Sequence, residues 1–565
     1  MRYSYLMVSS EYRLNSRIRQ PLLLLGIRFR GTTASNTSRC EIPQFSRRRA
    51  LSFARVCFCL SAVLAVGCGR TSTLEWHEEE GYRWSELAVP NRGSIGFRQM
   101  ATSETGVDFS NVLTEERVLQ NQLLLNGSGV ALGDVDGDGL VDIYLSGLDR
   151  SNALYKNLGD WEFEDITGLA GVAAPDRFST GAVFADVDGD GDLDLLTTAL
   201  GGPNALFRND GSGFFEEYTD QAGLSSDAGS TTMTLADVDS DGDLDLYVGN
   251  YKTKSVRDMY PPDELAFERV VDESGERAEV RPEFREHYAV TRRFGRVARI
   301  EMAEPDRLYL NDGTGHFEHI QFTSGRFLDE RGVPLESAPA EWALTVRFRD
   351  VDLDGDPDLY VCNDFESPDR FWINDGNGRF QLADRLSLRK TSGATMTMGY
   401  SDLDRDGDVD LMSLDMLDAG SQRRKMQTVL NLPDPPVVGE IDNRPQLPRN
   451  TLMVNRGDGT FAEAAYFAGV EGSGWSWSMI FLDVDLDGYE DILISNGYAH
   501  DFLDLDTMDR IQASMRASRD PLMMREKRFM LDFPPLHLKN VAFRNNGDLT
   551  FEETGESWGF GTEED

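Results

Sequence analysis

GDVDGDGLVDIYL, residues 133–145, is the stretch whose reading decides the fold. It sets carboxylates at Asp134, Asp136, Asp138 and Asp142 around Gly139, and a strand-like apolar run follows. Carboxylates held about 4 Å apart repel by roughly 4 kcal/mol per pair at an effective dielectric of about 20, so stability alone selects against the cluster. A cation is expected among them.

The stretch recurs, and its spacing sets the architecture. DVDGDGDLD begins at residue 186, DVDSDGDLD at 237, DVDLDGDPD at 350, DLDRDGDVD at 402 and DVDLDGYED at 483. Positions one, three, five and nine are aspartate in every copy: Asp134, Asp136, Asp138 and Asp142; Asp186, Asp188, Asp190 and Asp194; Asp237, Asp239, Asp241 and Asp245; Asp350, Asp352, Asp354 and Asp358; Asp402, Asp404, Asp406 and Asp410; Asp483, Asp485, Asp487 and Asp491. A second signature follows each copy, in the forms NALYKNLGDWEFED, NALFRNDGSGFFEE, DRLYLNDGTGHFEH, DRFWINDGNGRFQL, NTLMVNRGDGTFAE and NVAFRNNGDLTFEE. Alternating apolar residues on either side of a Gly-containing turn read as a β-hairpin.

One unit is therefore two hairpins, the first turning through the acidic loop. Asp186 to Phe215 is 29 residues and Phe215 to Asp237 is 22, a period near 51. Four short strands at that period indicate an all-β propeller of four-stranded blades, with other all-β stacks as the alternative. In uninterrupted repeats the hairpin phenylalanine precedes the next acidic loop by about 22 residues, as Phe380 precedes Asp402. By that ruler Phe551 projects another loop near 573, and TGVDFSNVL (105–113) stands where an outer strand would before Asp134. The expectation is a seven-bladed ring with its last blade incomplete and its outer strand supplied by 105–113. The alternative is six blades closed by residues 105–125 on 540–556.

The paired signatures D-x-D-x-D-G-x-x-D and N-x-L-(Y/F)-x-N-x-G-x-x-F resemble the FG-GAP/VCBS repeat of integrin-α-type propellers. The runs GWSWSMIFLDVDLDGYEDILISNGYAHDFLDLD and PQLPRNTLMVNRGDGTF are similar to bacterial proteins of the ASPIC/UnbV class, related to the cartilage acidic protein family. The resemblance spans residues 105–565 and implies a calcium-binding propeller, a scaffold that serves many functions.

Loop chemistry agrees independently. Oxygen ligands at positions one, three, five and nine, a carbonyl at seven and glycine at six suit a hard cation taking six to eight oxygens at about 2.3–2.6 Å. Softer metals would want His or Cys, which the loops lack. An EF-hand needs Glu at position twelve, where these loops carry Leu145, Thr197, Val248, Val361, Ser413 and Ile494. Ca2+ is the expected cofactor at all six.

The chain of 565 residues has net charge −41, which excludes nucleic acid as a partner and disfavours anionic lipid surfaces. Residues 1–67 run the other way, with 11 Arg against 2 acidic residues. RRRALSFARVCFCLSAVLAVGC reads as a basic region, a short apolar stretch and a lipobox-like Ala65-Val66-Gly67-Cys68. The expected layout is a leader over 1–67, lipidation at Cys68, a linker over 68–104 and the propeller over 105–565. Membrane contact is then through the lipid anchor only, on the outer membrane or cell surface. Secreted or periplasmic placement is the alternative. Only Cys68 and Cys362 remain after the leader, so disulfides are not the source of stability.

Insertions at about 251–305, 415–449 and 498–539 each fall between the second and third strands of a blade. Strand alternation puts all three on the face opposite the acidic loops, where a protein or glycan ligand would bind; mutual packing that caps the ring is the competing reading. None of the six histidines lies in a known catalytic motif, and no nucleophile elbow or phosphate loop is present. No catalytic residue is assigned, His500 beside Asp501 being the one pair that acid/base work would use. Trp475 and Trp477 alternate as core residues of a strand do. The functional expectation is a calcium-binding, surface-anchored or secreted binding or adhesion module, with a carbohydrate-active enzyme built on the propeller as the alternative.

Overall fold

A computed structural model describes residues 76–79, 82–85 and 94–561, except 262, 263, 276, 294, 295, 365, 366, 428–436, 438, 440–442 and 518–527. The leader over 1–67 and Cys68 lie outside the described residues. The chain divides into Met1–Gly93 and Ser94–Asp565. In the first unit Trp76–Glu79 pairs with Tyr82–Ser85 as an antiparallel hairpin.

The second unit is a β-propeller of six four-stranded antiparallel blades. Blade 1 is Val130–Gly133, Asp142–Leu145, Ala153–Asn157 and Phe163–Asp165. Blade 2 is Ser179–Ala185, Asp194–Ala199, Ala205–Asn209 and Phe215–Glu217; blade 3 is Ser230–Ala236, Asp245–Asn250, Arg307–Asn311 and Phe317–Ile320. Blade 4 is Ala343–Arg349, Asp358–Asn363, Arg370–Asn374 and Phe380–Leu382, with Phe327–Leu328 added in parallel outside its fourth strand. Blade 5 is Thr397–Ser401, Asp410–Leu414, Thr451–Asn455 and Phe461–Glu463; blade 6 is Ser476–Leu482, Asp491–Asn496, Val541–Asn545 and Phe551–Glu553. Every acidic loop joins the first and second strands of its blade.

Apolar alternation along the strands builds the core between blades rather than within them. Val183 and Ala185 of blade 2 pack with Leu246 and Val248 of blade 3, while Ala182 and Phe184 face the Ala131, Tyr144 and Leu154 cluster of blade 1. Equivalent clusters join blades 3 with 4, 4 with 5 and 5 with 6. Polar stitches reinforce them. The third-strand asparagine donates Nδ2 to the loop carbonyl of the preceding blade: Asn209 to Val135 at 2.8 Å, Asn311 to Val187 at 2.8 Å, Asn374 to Val238 at 2.9 Å and Asn545 to Leu403 at 3.2 Å. Asn209→Ala strands buried partners on two blades and should cost about 2–3 kcal/mol in a urea titration, at unchanged secondary structure.

Ring closure differs from the expectation. Residues 105–113 do not form an outer strand; the helix Thr102–Thr105 and Gly106 lead into blade 1. A Cβ on Gly106 would meet the Phe163 carbonyl, as one on Gly171 would meet Phe215, on Gly223 Phe317 and on Gly469 Phe551. Each is the linker glycine (φ +78 to +82°) lying under the outer-strand phenylalanine of the blade that follows it. Gly559, after blade 6, has the same relation to Phe97. Phe97 N–H donates to the Trp558 carbonyl at 2.6 Å, as Phe317 N–H does to Ala222 at 2.8 Å. The outer-strand position beyond blade 6 therefore belongs to residues around Phe97, within the unit Ser94–Asp565. Trp558 and Phe560 cover Leu493 and Ala542 of blade 6. Among the described residues no seventh four-stranded sheet is present, and the alternative pairing of 105–125 on 540–556 is not seen. The first strands of blades 1 and 6 leave Val130 (57%), Leu132 (63%), Ile480 (57%) and Leu482 (43%) exposed, positions whose counterparts in blade 2 are covered by neighbours.

The residue that opens each second hairpin, Asn or Asp, caps the turn between second and third strands. Asn152 accepts from Gly147 N–H and donates to Tyr144 Oη, whereas in blade 4 Asp369 accepts from Asn363 N–H at 2.9 Å, Tyr360 Oη at 2.9 Å and Thr395 Oγ1 at 2.8 Å. Burial pushes Asp369 up to about 7, against the hydrogen bonds that lower it. A folded-state pKa raised above the unfolded value means stability falls as pH rises from about 4 to about 7, by at most roughly 1.4 kcal/mol per pH unit, and is level outside that window. Asp369→Asn copies blade 1 and has no such slope. Its stability relative to the wild type should rise between pH 4.5 and 7.5 in urea titrations; parallel curves would refute the assignment.

Candidate metal centres

The acidic loops are preformed by their own hydrogen bonds. The position-one carboxylate accepts backbone N–H groups from the far side of the turn: Asp134 from Asp138 and Gly139, Asp237 from Asp241 and Gly242, Asp350 from Asp354 and Gly355, Asp483 from Asp487 and Gly488. The position-five carboxylate accepts the N–H of position seven, as Asp354 does from Asp356 at 3.0 Å. Glycine at position six is left-handed throughout, from φ +85° at Gly139 to +102° at Gly355. Position four is left-handed too, at Gly137, Gly189, Ser240, Leu353, Arg405 and Leu486. Non-glycine residues pay for that conformation, so the surrounding bonds must over-determine it.

Position nine does a second job that spacing does not reveal. Asp142, Asp194, Asp245, Asp358, Asp410 and Asp491 are at most 1% exposed. One oxygen of each accepts the N–H of position two in its own loop, at 2.9–3.3 Å. The other accepts the N–H of the third-strand asparagine, at 2.7–3.0 Å. These aspartates pin the acidic loop to the second hairpin. Burial pushes them up, to about 6 for Asp194, Asp245 and Asp491, about 7 for Asp410 and about 8 for Asp358, with the loop's other carboxylates adding to the rise.

Position three is the reverse. Asp136, Asp188, Asp239 and Asp404 each carry a buried Oδ1 without a hydrogen-bond partner, as does Asp402 at position one. Burial and the neighbouring aspartates raise Asp239, Asp352 and Asp404 above the usual carboxylate range. In blades 1, 2 and 6 a third-strand cation leans on the loop: Lys156 contacts Asp136 and lies 2.9 Å from Asp138, Arg208 contacts Asp188, and Arg544 lies 2.6 Å from Asp485 and 3.1 Å from Asp487.

The donor set fits a hard divalent cation. In at least five loops three carboxylate oxygens fall within 4.8 Å of one another: Asp134, Asp136 and Asp142; Asp186, Asp188 and Asp194; Asp237, Asp239 and Asp241; Asp350, Asp352 and Asp354; Asp402, Asp404 and Asp410. Oxygens bound at about 2.3–2.6 Å around one calcium sit at such mutual distances. Orphaned buried oxygens in the same clusters are what a missing positive partner leaves behind.

On the opposite face the described parts of the first and third insertions are engaged in packing of their own. The first carries its own cluster around Val256, Val270, Phe284 and Tyr288. In the third, Tyr498 stacks on Trp475 with centroids 4.3 Å apart and lies 5.7 Å from Trp477, whose Nε1 donates to the Gly497 carbonyl at 2.6 Å. Both tryptophans are thereby packing residues. His500 Nδ1 faces the Phe533 carbonyl at 2.9 Å and Asp501 pairs with Arg423 at 2.9 Å, so the two do not form a dyad. A cleft of about 760 Å³ opens beside blade 3 on this face, lined by Pro203, Asp227, Glu304, Arg307, His319 and Gln321 among others.

An FG-GAP-like repeat family matches residues 134–197, 186–248, 350–413 and 437–494, which takes in all six acidic loops. The chain is also similar to cartilage acidic protein 1 of Xenopus tropicalis, 29% identical over 139 residues, and of Homo sapiens, 28% over 138 residues. Each match covers 24% of this chain and only 21% of the relative, so the chain spans about a fifth of the length of these relatives. Among solved structures, a lectin of Agrocybe aegerita described as recognising non-reducing terminal N-acetylglucosamine is similar at 15% identity, covering 74% of this chain and 77% of that one with a TM-score of 0.37.

Proposed function

The chain is a β-propeller built on FG-GAP-like repeats, and from that premise we propose that it is a calcium-held binding module that works outside the cytoplasm. The observation that carries this reading is the set of buried, partnerless carboxylate oxygens inside the acidic loops. Positions one, three and five, with the carbonyl of position seven and the remaining lone pairs of position nine, would hold the ion; when bound it supplies the positive charge that the clustered aspartates require. Position nine would serve ion and backbone together. Millimolar calcium is an extracellular condition, which accords with the export signal and lipid anchor read at Cys68.

The partner is a protein or glycan, taken up on the face opposite the loops. With the aromatics of the third insertion engaged in packing, the cleft beside blade 3 is the surface we assign, and its mix of Asp227, Glu304, Arg307 and His319 suits a polar ligand. A glycan array and a peptide display, both probed in calcium, test it. Binding that Arg307→Ala abolishes supports the assignment; binding that survives Arg307→Ala and Asp227→Ala places the ligand elsewhere.

A further inference from the structure

Resting on the calcium reading above, we propose that one third-strand side chain sorts the six loops into two classes of calcium site, tight in blades 3, 4 and 5 and weak in blades 1, 2 and 6. The residue is the one immediately before the third-strand asparagine. It is Lys156, Arg208 and Arg544 in blades 1, 2 and 6, and Leu310, Ile373 and Val454 in blades 3, 4 and 5.

Its place in the strand aims it at the loop. The asparagine that follows is fixed by the N–H bond to position nine, so the preceding side chain leaves the strand beside positions three and five. Where it is basic, it lies on those carboxylates: Lys156 on Asp136 and Asp138, Arg208 on Asp188, Arg544 on Asp485 and Asp487. The carboxylates of positions one and nine are each tied up by two backbone N–H groups, as Asp134 and Asp142 are, whereas position three accepts little from the backbone, as Asp485 does from Asp487 N–H at 3.3 Å, so the ammonium or guanidinium neutralises the carboxylate most available to an incoming ion. A divalent cation entering such a loop must displace the fixed charge or sit beside it, and either lowers affinity. Where the residue is aliphatic, it packs instead. Leu310 joins the core between blades 3 and 4, Ile373 that between 4 and 5 and Val454 that between 5 and 6. Arg326, the cation that also reaches towards Asp239, has Nη1 bonded to the carbonyls of Asn377 and Gly378. The basic residues thus act as built-in counter-ions, and three blades can hold their loops closed at low calcium while the other three cannot.

Equilibrium dialysis of the full chain against radioactive calcium, from micromolar to 10 mM, separates the outcomes. The expected isotherm has three sites at least tenfold tighter than the remaining three. Lys156→Met, at a half-buried position outside the core clusters, should raise the tight count to four, and Val454→Lys should lower it to two. Six equivalent sites, or a tight count that neither substitution moves, overturn the sorting while leaving calcium binding intact. No binding anywhere in the range overturns the calcium reading itself and this inference with it.

Discussion

Stripping calcium with a chelator is expected to lower the melting temperature of the propeller by roughly 5–15 °C. Extracellular calcium modules bind with Kd of about 10⁻⁴–10⁻³ M, so about 1 mM free ion contributes roughly 0.4–1.4 kcal/mol per independent site. Six sites together rival the net stability of a whole domain. The effect should be reversed by calcium and not by equimolar magnesium, which demands a tighter octahedral shell than these loops offer. Differential scanning calorimetry in chelator, calcium and magnesium measures it. A melting temperature indifferent to all three would remove the ion from the account of stability.

The second large effect separates the carboxylates that hold the fold from those that await the ion. Asp358→Ala leaves the N–H groups of Val351 and Asn374 without their acceptor in a fully buried setting. It should cost about 3–5 kcal/mol whether calcium is present or not. Asp352→Ala removes an acceptor of Asp354 N–H whose role Asp350 duplicates at 3.1 Å, so it should cost little in chelator and distinctly more in calcium. Urea unfolding of both variants with and without the ion reads the contrast. Equal losses for the two in chelator would show that position three is structural as well.

Much of this was legible in the sequence because the repeat prints the same instructions six times. The acidic loop, the Asn-x-Gly hairpin and their spacing specify two strand pairs per unit, and six copies average out local ambiguity. The ruler failed where the repeat is interrupted. Phe97 stands 37 residues before Asp134 rather than about 22, because the helix Glu115–Gln120 and the 3-10 turn Gln122–Asn126 intervene, so spacing pointed to 105–113 as the outer strand. The signal that was available lay in the linker: phenylalanine followed eight residues later by glycine in FEDITGLAG, FEEYTDQAG and FAEAAYFAG, and nine later in FRQMATSETG. The double duty of position nine was hidden for another reason. Asp358 reads as one more ligand in DVDLDGDPD, and only the folded hairpin brings Asn374 N–H to it. The left-handed backbone at Leu353, Arg405 and Leu486 was likewise invisible, since those residue types do not advertise it. Lys156, Arg208 and Arg544 were in plain view within the hairpin signature, but their relation to the loop exists only once the third strand is laid beside it.

Anomalous diffraction from crystals of the propeller grown in millimolar calcium tests the central claim most directly. The account predicts density for calcium within each acidic loop, ringed by the carboxylates of positions one, three, five and nine and the carbonyl of position seven, strongest in blades 3, 4 and 5. Loops that hold only water, with the position-three carboxylates turned out to solvent, would contradict it.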